Sequence, residues 1–472
     1  MLFFCCHKHY YVIRSIHHVV MEIAMKHPEW ALKYKTKNTE LRCIRGYYYL
    51  YAITSKWDPE KKRTKKVTVK AIGSITEKDG LIPKGMARRG RVPQGESRLK
   101  TPLQDKSGFM DTFGSLEDPR SSRNQLYSLA EILLCTLCAV LCGAEGWQDI
   151  EDYGRAKIQF LRQYFDYKNG IPSDDTFRRL YRTLNPVVFE NLFRQWVEGL
   201  AKVVGSRVMA IDGKCSRRSY DGEGNMLHMV SAFCTEARIV LGQDKVDDKS
   251  NEITAIPKLL EWLDIAGHII TIDAMGCQYA IANLIVKKKG DYIFSLKGNQ
   301  ETLARDVKLY FEDPQLPKGE NIKHDDKGHG RFECRECWVV IDVDWLTDLH
   351  PRWATIKSII KVRSTREIKG KISIEDRYYI SSLNPSPEEA LKAIRDHWAI
   401  ENTLHWTLDM SFNEDYSRIR KENAPHIMAI FRHVALNLLQ RAKKERQSIK
   451  GLRKICGWDE FTLEKVLSLS SS

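Results

Sequence analysis

Long apolar runs are missing from this 472-residue sequence. The most hydrophobic stretch, Ile132 to Ala144, is about 13 residues, short of the roughly 20 that cross a bilayer and typical of a buried helix. No membrane span is therefore expected. The apolar start Met1-Leu-Phe-Phe-Cys-Cys is followed by His7, Lys8 and His9, so it lacks the basic-then-apolar order of a secretory signal, and a cytoplasmic location is the expectation. Cysteine is sparse, 12 in the whole chain, which excludes a disulfide scaffold and leaves reduced thiols. No internal repeat, long low-complexity tract or heptad run is present, so solenoid and coiled-coil architectures drop out. Acidic surplus is absent too: the net charge is +14 and the pI about 9.1. With 43% hydrophobic and 10% aromatic residues, the chain is long enough for two or three domains with real cores, and its charge asks for an acidic partner, nucleic acid first.

That charge is concentrated. Residues 31–100 hold 19 Lys and Arg against 6 Asp and Glu, while the other 402 residues carry 56 against 55. A small basic module at 1–84 precedes a nearly neutral body. Within it, Glu40 to Thr54 and Lys66 to Ile75 read as strands around a charged turn, Asp58 to Arg63. Such a basic, Tyr-rich hairpin fits either a phosphate-tracking surface or a solvated edge sheet. Residues 85–114, rich in Gly, Pro and basic side chains, read as a linker.

From about 115 to 200 the pattern is helical, with helices expected at Leu126–Cys142, Trp147–Phe165 and Asp174–Leu184, the last capped by Ser173. Cys135, Cys138 and Cys142 follow one face of the first, among leucines, as a core stripe does; Cys334-x-x-Cys337 has no second ligand pair for zinc. On the third helix Phe177, Leu180, Tyr181 and Leu184 face inward. Arg178, Arg179 and Arg182 then serve either a helix-turn-helix against DNA or a bundle with solvated arginines.

Residues 205–443 change texture: three strands (Val208–Asp212, His228–Cys234, Arg238–Leu241), then helix and strand in alternation through Tyr292–Leu296, a mixed α/β sheet. A strand-rich stretch at 318–383 follows, then helices at Pro387–Trp398 and His426–Lys443, and a tail at 444–472. Asp212 and Asp273 end apolar strands, the edge where open α/β sheets bind ligands; as a pair they suit a divalent metal, and singly each suits a turn. Glu401 is the third acid. On a helix it shares a face with His397 and His405, beside Trp398 and Trp406, without the zinc-protease spacing; a structural hydrogen bond is its other reading.

These residues resemble the DDE transposases of bacterial insertion sequences, in the branch of H-repeat-associated proteins, from about 115 to 440. The likeness is carried in order by Asp118-Pro-Arg, Leu141-Cys-Gly-Ala-Glu-Gly-Trp147, Gly170-Ile-Pro-Ser-Asp-Asp-Thr-Phe177 and Asp212-Gly-Lys-Cys-Ser-Arg217-Arg-Ser219. It continues through Lys249-Ser-Asn-Glu-Ile-Thr-Ala-Ile-Pro257, Thr271-Ile-Asp-Ala-Met-Gly-Cys-Gln278, Leu296-Lys-Gly-Asn-Gln300, His329-Gly-Arg331 and His397-Trp-Ala-Ile-Glu-Asn402. Residues 34–84 resemble the opening of a different transposase branch, through Gly46-Tyr-Tyr-Tyr-Leu-Tyr, Ser55-Lys-Trp-Asp-Pro and Ala71-Ile-Gly-Ser-Ile-Thr, as if two transposase pieces had been joined.

The resemblance implies an α/β, ribonuclease-H-like catalytic domain with a strand-rich insertion at 318–383, preceded by an all-helical associated domain. It implies Asp212, Asp273 and Glu401 as catalytic acids holding Mg²⁺ or Mn²⁺, with DNA, both element ends and target, as substrate, and a homodimer on that DNA. Lys214, Arg217 and Lys297 near the strand ends are candidates for phosphate contacts, and His405 for orienting a water or the flanking strand. Where related enzymes often carry Tyr and Arg before the glutamate and Lys after it, this sequence has Ile394, His397 and Leu408. A silent DNA-binding relic and a structure-selective nuclease on the same fold are the competing readings.

Overall fold

The computed structural model describes residues 28–44, 47–58, 63–76, 80–83, 108–121, 125–201, 207–219, 226–246, 251–328 and 331–469. They belong to two compact units, Met1–Thr101 and Pro102–Ser472. In the first, a short helix α1 (Glu29–Leu32) accompanies an antiparallel sheet ordered β1 (Thr39–Ile44), β2 (Tyr47–Asp58), β3 (Arg63–Thr76), β4 (Gly80–Pro83). Ala31, Leu41, Leu50 and Ile75 form its small core. The centre of the charged turn, 59–62, and residues 85–107 of the expected linker lie outside the described residues. The end of that linker is helical: α2 (Gly108–Phe113) buries Phe109, Met110 and Phe113.

The second unit begins with helices α3 (Leu129–Cys142), α4 (Trp147–Ala156), α5 (Ile158–Leu161), α6 (Asp174–Thr183) and α7 (Pro186–Ala201). A capping box between Ser128 and Glu131 starts α3, and Gly143, at φ +113°, ends it in a conformation that favours glycine. Cys135 and Cys138 are fully buried among its leucines, and burial pushes the Cys135 thiol up to about 12, so they pack as core residues. The helix expected over 147–165 breaks at Lys157, whose backbone leaves the helical region.

The remaining strands form one nine-stranded sheet in the order β10-β11-β12-β13-β9-β8-β5-β6-β7. They are β5 (Val208–Cys215), β6 (His228–Cys234), β7 (Ile239–Lys245), β8 (Ile269–Ile272), β9 (Asp291–Leu296), β10 (Glu320–Gly328), β11 (Arg331–Val340), β12 (Ser358–Ile368) and β13 (Lys371–Ser381). β8 runs parallel to β5 and to β9; every other pairing is antiparallel. The strands of residues 318–383 therefore extend the main sheet, joined to it where Tyr378–Ser381 of β13 pair with Ile293–Leu296 of β9.

Along β5 and β8, alternate residues face opposite layers. Met209, Ile211, Ile270 and Ile272 pack with helices α8 (Glu252–Trp262), α9 (Tyr279–Lys287) and α10 (Glu301–Glu312). The opposite face is covered by α12 (Pro387–Ala399), which follows a short α11 (Asp344–Leu349), and by the helical region, since Ala210, Phe233 and Val240 share one core with α3, α6 and α7. Helices α13 (Trp406–Phe412) and α14 (Ala424–Ala442) complete that core. So do residues of the expected tail, which form α15 (Ile449–Trp458) and α16 (Glu460–Ser468) and bury Leu452, Cys456, Leu463 and Val466. Among the described residues no single helix is long and apolar enough to cross a membrane.

Candidate active site

Ile269-Ile-Thr-Ile272 is buried throughout, and the chain then turns because the Asp273 Oδ1 accepts the backbone N–H groups of Met275 (3.0 Å) and Gly276 (3.2 Å). Its neighbour β5 is registered Ile211 to Ile272, so Asp273, just past the end of β8, stands level with Asp212; the strand expected to end at Asp212 runs on to Cys215, and Asp212 lies inside it, paired with Ser231 of β6. In phase with Ala210 and Thr271, both carboxylates point to the face that α12 covers.

Helix α12 starts at a capping box between Ser386 and Glu389 with Pro387 in its first turn, and lays Ala390, Leu391, Ala393 and Ile394 on the sheet. It continues into one π-helical turn, Ile400–His405, which buries Ile400 and Leu404 and leaves Glu401 exposed. The wider coil means that His397, Glu401 and His405 do not form the plain α-helical stripe the spacing suggested. His397 Nδ1 lies 3.1 Å from Thr271 Oγ1 on β8, and His405 Nδ1 lies 3.8 Å from Asp212 Oδ2 on β5. Burial pushes both imidazoles down to about 4, so both are neutral at physiological pH; His397 hydrogen-bonds to Thr271, whereas His405 stands beyond hydrogen-bond reach of Asp212 and its buried Nε2 has no partner among the described residues.

Between these elements lies a cavity of about 130 Å³, into which Asp273, Glu401, His397 and Lys297 converge. Trp398, which the sequence already set beside Glu401, also lines it, as do Arg377 and Tyr379, which sequence reasoning missed. Arg377 arrives from β13, stacks 4.9 Å above the Trp398 ring and is paired with Glu375 at 2.8 Å. Burial, then the charges of Glu252, Asp273 and Glu401, push the Asp212 carboxyl up to about 7, although the Gly213 N–H partly offsets them. Asp273 is likewise raised, by burial first and by Glu252, against the Lys297 charge.

Other sequence candidates lie elsewhere. Lys214 is buried in an ion cluster with Asp409 (2.7 Å), Asp415 (3.2 Å) and Glu414 (3.9 Å), and Asp415 also holds the exposed Arg217. On α6, Arg178 pairs with Asp174 (2.6 Å) and Asp175 (2.7 Å), and Arg182 with Glu422. Arg179 is 78% exposed, 3.8 Å from Asp175. None of these three arginines lines the cavity.

Among the described residues no three His, Cys, Asp or Glu side chains already stand at ligand spacing for an ion. The chemistry of the donor set nevertheless fits a hard divalent cation: carboxylate oxygens from β5, from the turn after β8 and from a facing helix turn, with Asp212 raised by burial first and then by the charges of Glu252, Asp273 and Glu401, and with the neutral His405 at 3.8 Å as its basic neighbour.

A family model described as "Transposase DDE domain" matches residues 204–438, and one described as "DDE_Tnp_1-associated" matches residues 110–197. Both matches fall outside the N-terminal sheet. The chain is 41% identical over 369 residues to the H repeat-associated putative transposase YhhI of Escherichia coli K12, covering 76% of this chain and 97% of that protein. To the putative transposase YncI of Escherichia coli O157:H7 it is 39% identical over 370 residues, 77% of this chain and 95% of that one. Among solved structures, the piggyBac transposase synaptic complex with hairpin DNA aligns over 78% of each chain at 10% identity with a TM-score of 0.36, a likeness too low to carry a fold assignment.

Proposed function

This chain belongs to the DDE transposase family, and from that premise we propose that Asp212, Asp273 and Glu401 are the catalytic acids of an insertion-sequence transposase, a DNA-cleaving and strand-transferring enzyme. The observation that carries the assignment is electrostatic as much as geometric: Asp212 is pushed up to about 7 by burial first and then by Glu252, Asp273 and Glu401, a crowding of negative charge that suits a cation site. We take the sheet as ribonuclease-H-like, with β5 to β7 antiparallel and β8 and β9 added parallel to β5.

Asp212, Asp273 and Glu401 would hold Mg²⁺ or Mn²⁺, which when bound supplies a nucleophile at neutral pH and charge stabilisation for the leaving oxygen. The reaction is two in-line displacements at phosphorus. Water attacks at the element end and the 3′ oxygen leaves as a free hydroxyl; that hydroxyl then attacks a target phosphodiester, expelling a target 3′ oxygen. The residues of the chain bind and orient. Lys297 and Arg377 present positive charge to the cavity that receives the phosphate, while the neutral His405 stands 3.8 Å from Asp212. Arg179, the exposed cation of α6, is the better placed of the three helix arginines for a DNA backbone, because Arg178 and Arg182 are already paired. We further propose a homodimer that brings two element ends together in the cytoplasm.

Labelled DNA carrying the gene's own flanks, incubated with Mg²⁺ or Mn²⁺, tests this reading. Wild-type protein is expected to cut at the element boundary and Asp273→Asn to lose cutting by at least 100-fold. Binding without cutting by the wild type would point to the silent relic, and cutting indifferent to the flank sequence to a structure-selective nuclease.

A further inference from the structure

Within the segment Asn251-Glu-Ile-Thr, one carboxylate has no role so far. Asn251 caps α8, accepting the Ile253 N–H at 3.1 Å, and Glu252 is the first residue of the helix. Helix α8 packs on the sheet face opposite Asp212, through Ala255, Ile256, Leu259 and Leu260. Its N-terminus, however, stands at the edge where the strand-end acids lie. There Glu252 Oε1 meets His228 Nε2, at the start of β6, at 2.9 Å. The carboxylate rests directly over the α-carbon of Gly213, the residue after Asp212: a Cβ added there would come within 2.0 Å of Glu252 Oε1 and 2.7 Å of His228 Nε2. Gly213 is thus the feature that lets Glu252 approach, since any other residue would push it away.

We propose that Glu252, steadied by His228, is a fourth carboxylate of the catalytic centre and takes part in holding the divalent cation beside Asp212 and Asp273. The proposal rests on the assignment of those two acids above. Two further observations agree with it. The Glu252 charge is the strongest electrostatic influence raising Asp212, and it also acts on Asp273. Its side chain is only 14% exposed, where water screens like charges poorly. Favourable interaction with the helix N-terminus and the bond to His228 account for a carboxylate at this position, but not for a glycine beneath it next to Asp212, whose absent Cβ leaves the carboxylate its room on the α8 face.

The test is a calorimetric Mn²⁺ titration of the full chain without DNA, on the wild type, Glu252→Gln and Asp273→Asn, with cleavage and duplex binding measured alongside. Glu252→Gln keeps the shape and an acceptor for His228. It is expected to weaken Mn²⁺ binding about tenfold and lower cleavage, with duplex affinity and melting temperature close to wild type. His228→Ala is expected to weaken Mn²⁺ binding about threefold, non-additively with Glu252→Gln, and carries the test should the glutamine variant fail to fold. Wild-type Mn²⁺ affinity in Glu252→Gln and His228→Ala, alongside a loss in Asp273→Asn, overturns this inference alone. Unchanged affinity in Asp273→Asn as well overturns the underlying assignment.

Discussion

Asn437, on α14, is fully buried and clamps the edge strand β7: its Nδ2 donates to the Val240 carbonyl at 2.9 Å and its Oδ1 accepts the Val240 N–H at 2.8 Å. The clamp sits where the β6–β7 ladder shifts register, between Ala232 and Phe233, so the sheet itself does not supply these partners. Asn437→Leu removes both bonds and leaves a buried donor and acceptor unpaired. At about 1–3 kcal/mol for each orphaned group, the expected loss is about 3 kcal/mol. An unfolding entropy of roughly 2.1 cal/mol/K per residue over a unit of about 370 residues converts this to a melting temperature about 4 °C lower. Differential scanning calorimetry reads the shift, and Asn437→Asp, which keeps the acceptor and loses the donor, should fall between. A change below about 1 °C for the leucine variant would refute the reasoning, because it would mean that water or a backbone adjustment satisfies Val240 without the side chain.

Lys214→Met leaves Asp409 without its cation, while Glu414 keeps Arg432 and Asp415 keeps Arg217, and is expected to cost about 3 kcal/mol in urea unfolding while leaving the salt dependence of DNA binding unchanged; Arg179→Gln should do the reverse, lowering the log–log salt slope by about 1. Burial pushes the His433 imidazole from 6.5 down to about 3, so the unfolded chain takes up a proton that the native state refuses, and stability contributed above pH 6.5 is lost as pH falls towards 3. His433→Gln is therefore expected to show a shallower loss of urea midpoint between pH 7.5 and pH 5 than the wild type, and equal slopes would contradict this.

What the sequence made legible follows range. Asp212 and Asp273 stood out because each ends a run of consecutive apolar residues, and a strand buried on both faces needs such a run; the parallel register then sets them side by side. Pairing partners were less accessible. The sequence marks 318–383 as strand-rich but carries no information that Tyr378 meets Leu296, so nothing in it shows that these strands continue the main sheet, and Arg377 was never suspected at the cavity. Lys214 illustrates the same limit with charge: beside Asp212 it looks ready for phosphate, yet its partners Asp409 and Asp415 come from about 200 residues later. Glu252 was hidden for a different reason. An Asn followed by Glu at the start of a helix satisfies the local rules for caps and dipoles, and a residue already explained locally prompts no search for a second role. The clue lay in two places at once, a glycine directly after a strand-end aspartate and an acid opening the next helix, and only the fold shows that the missing Cβ of one makes room for the carboxylate of the other.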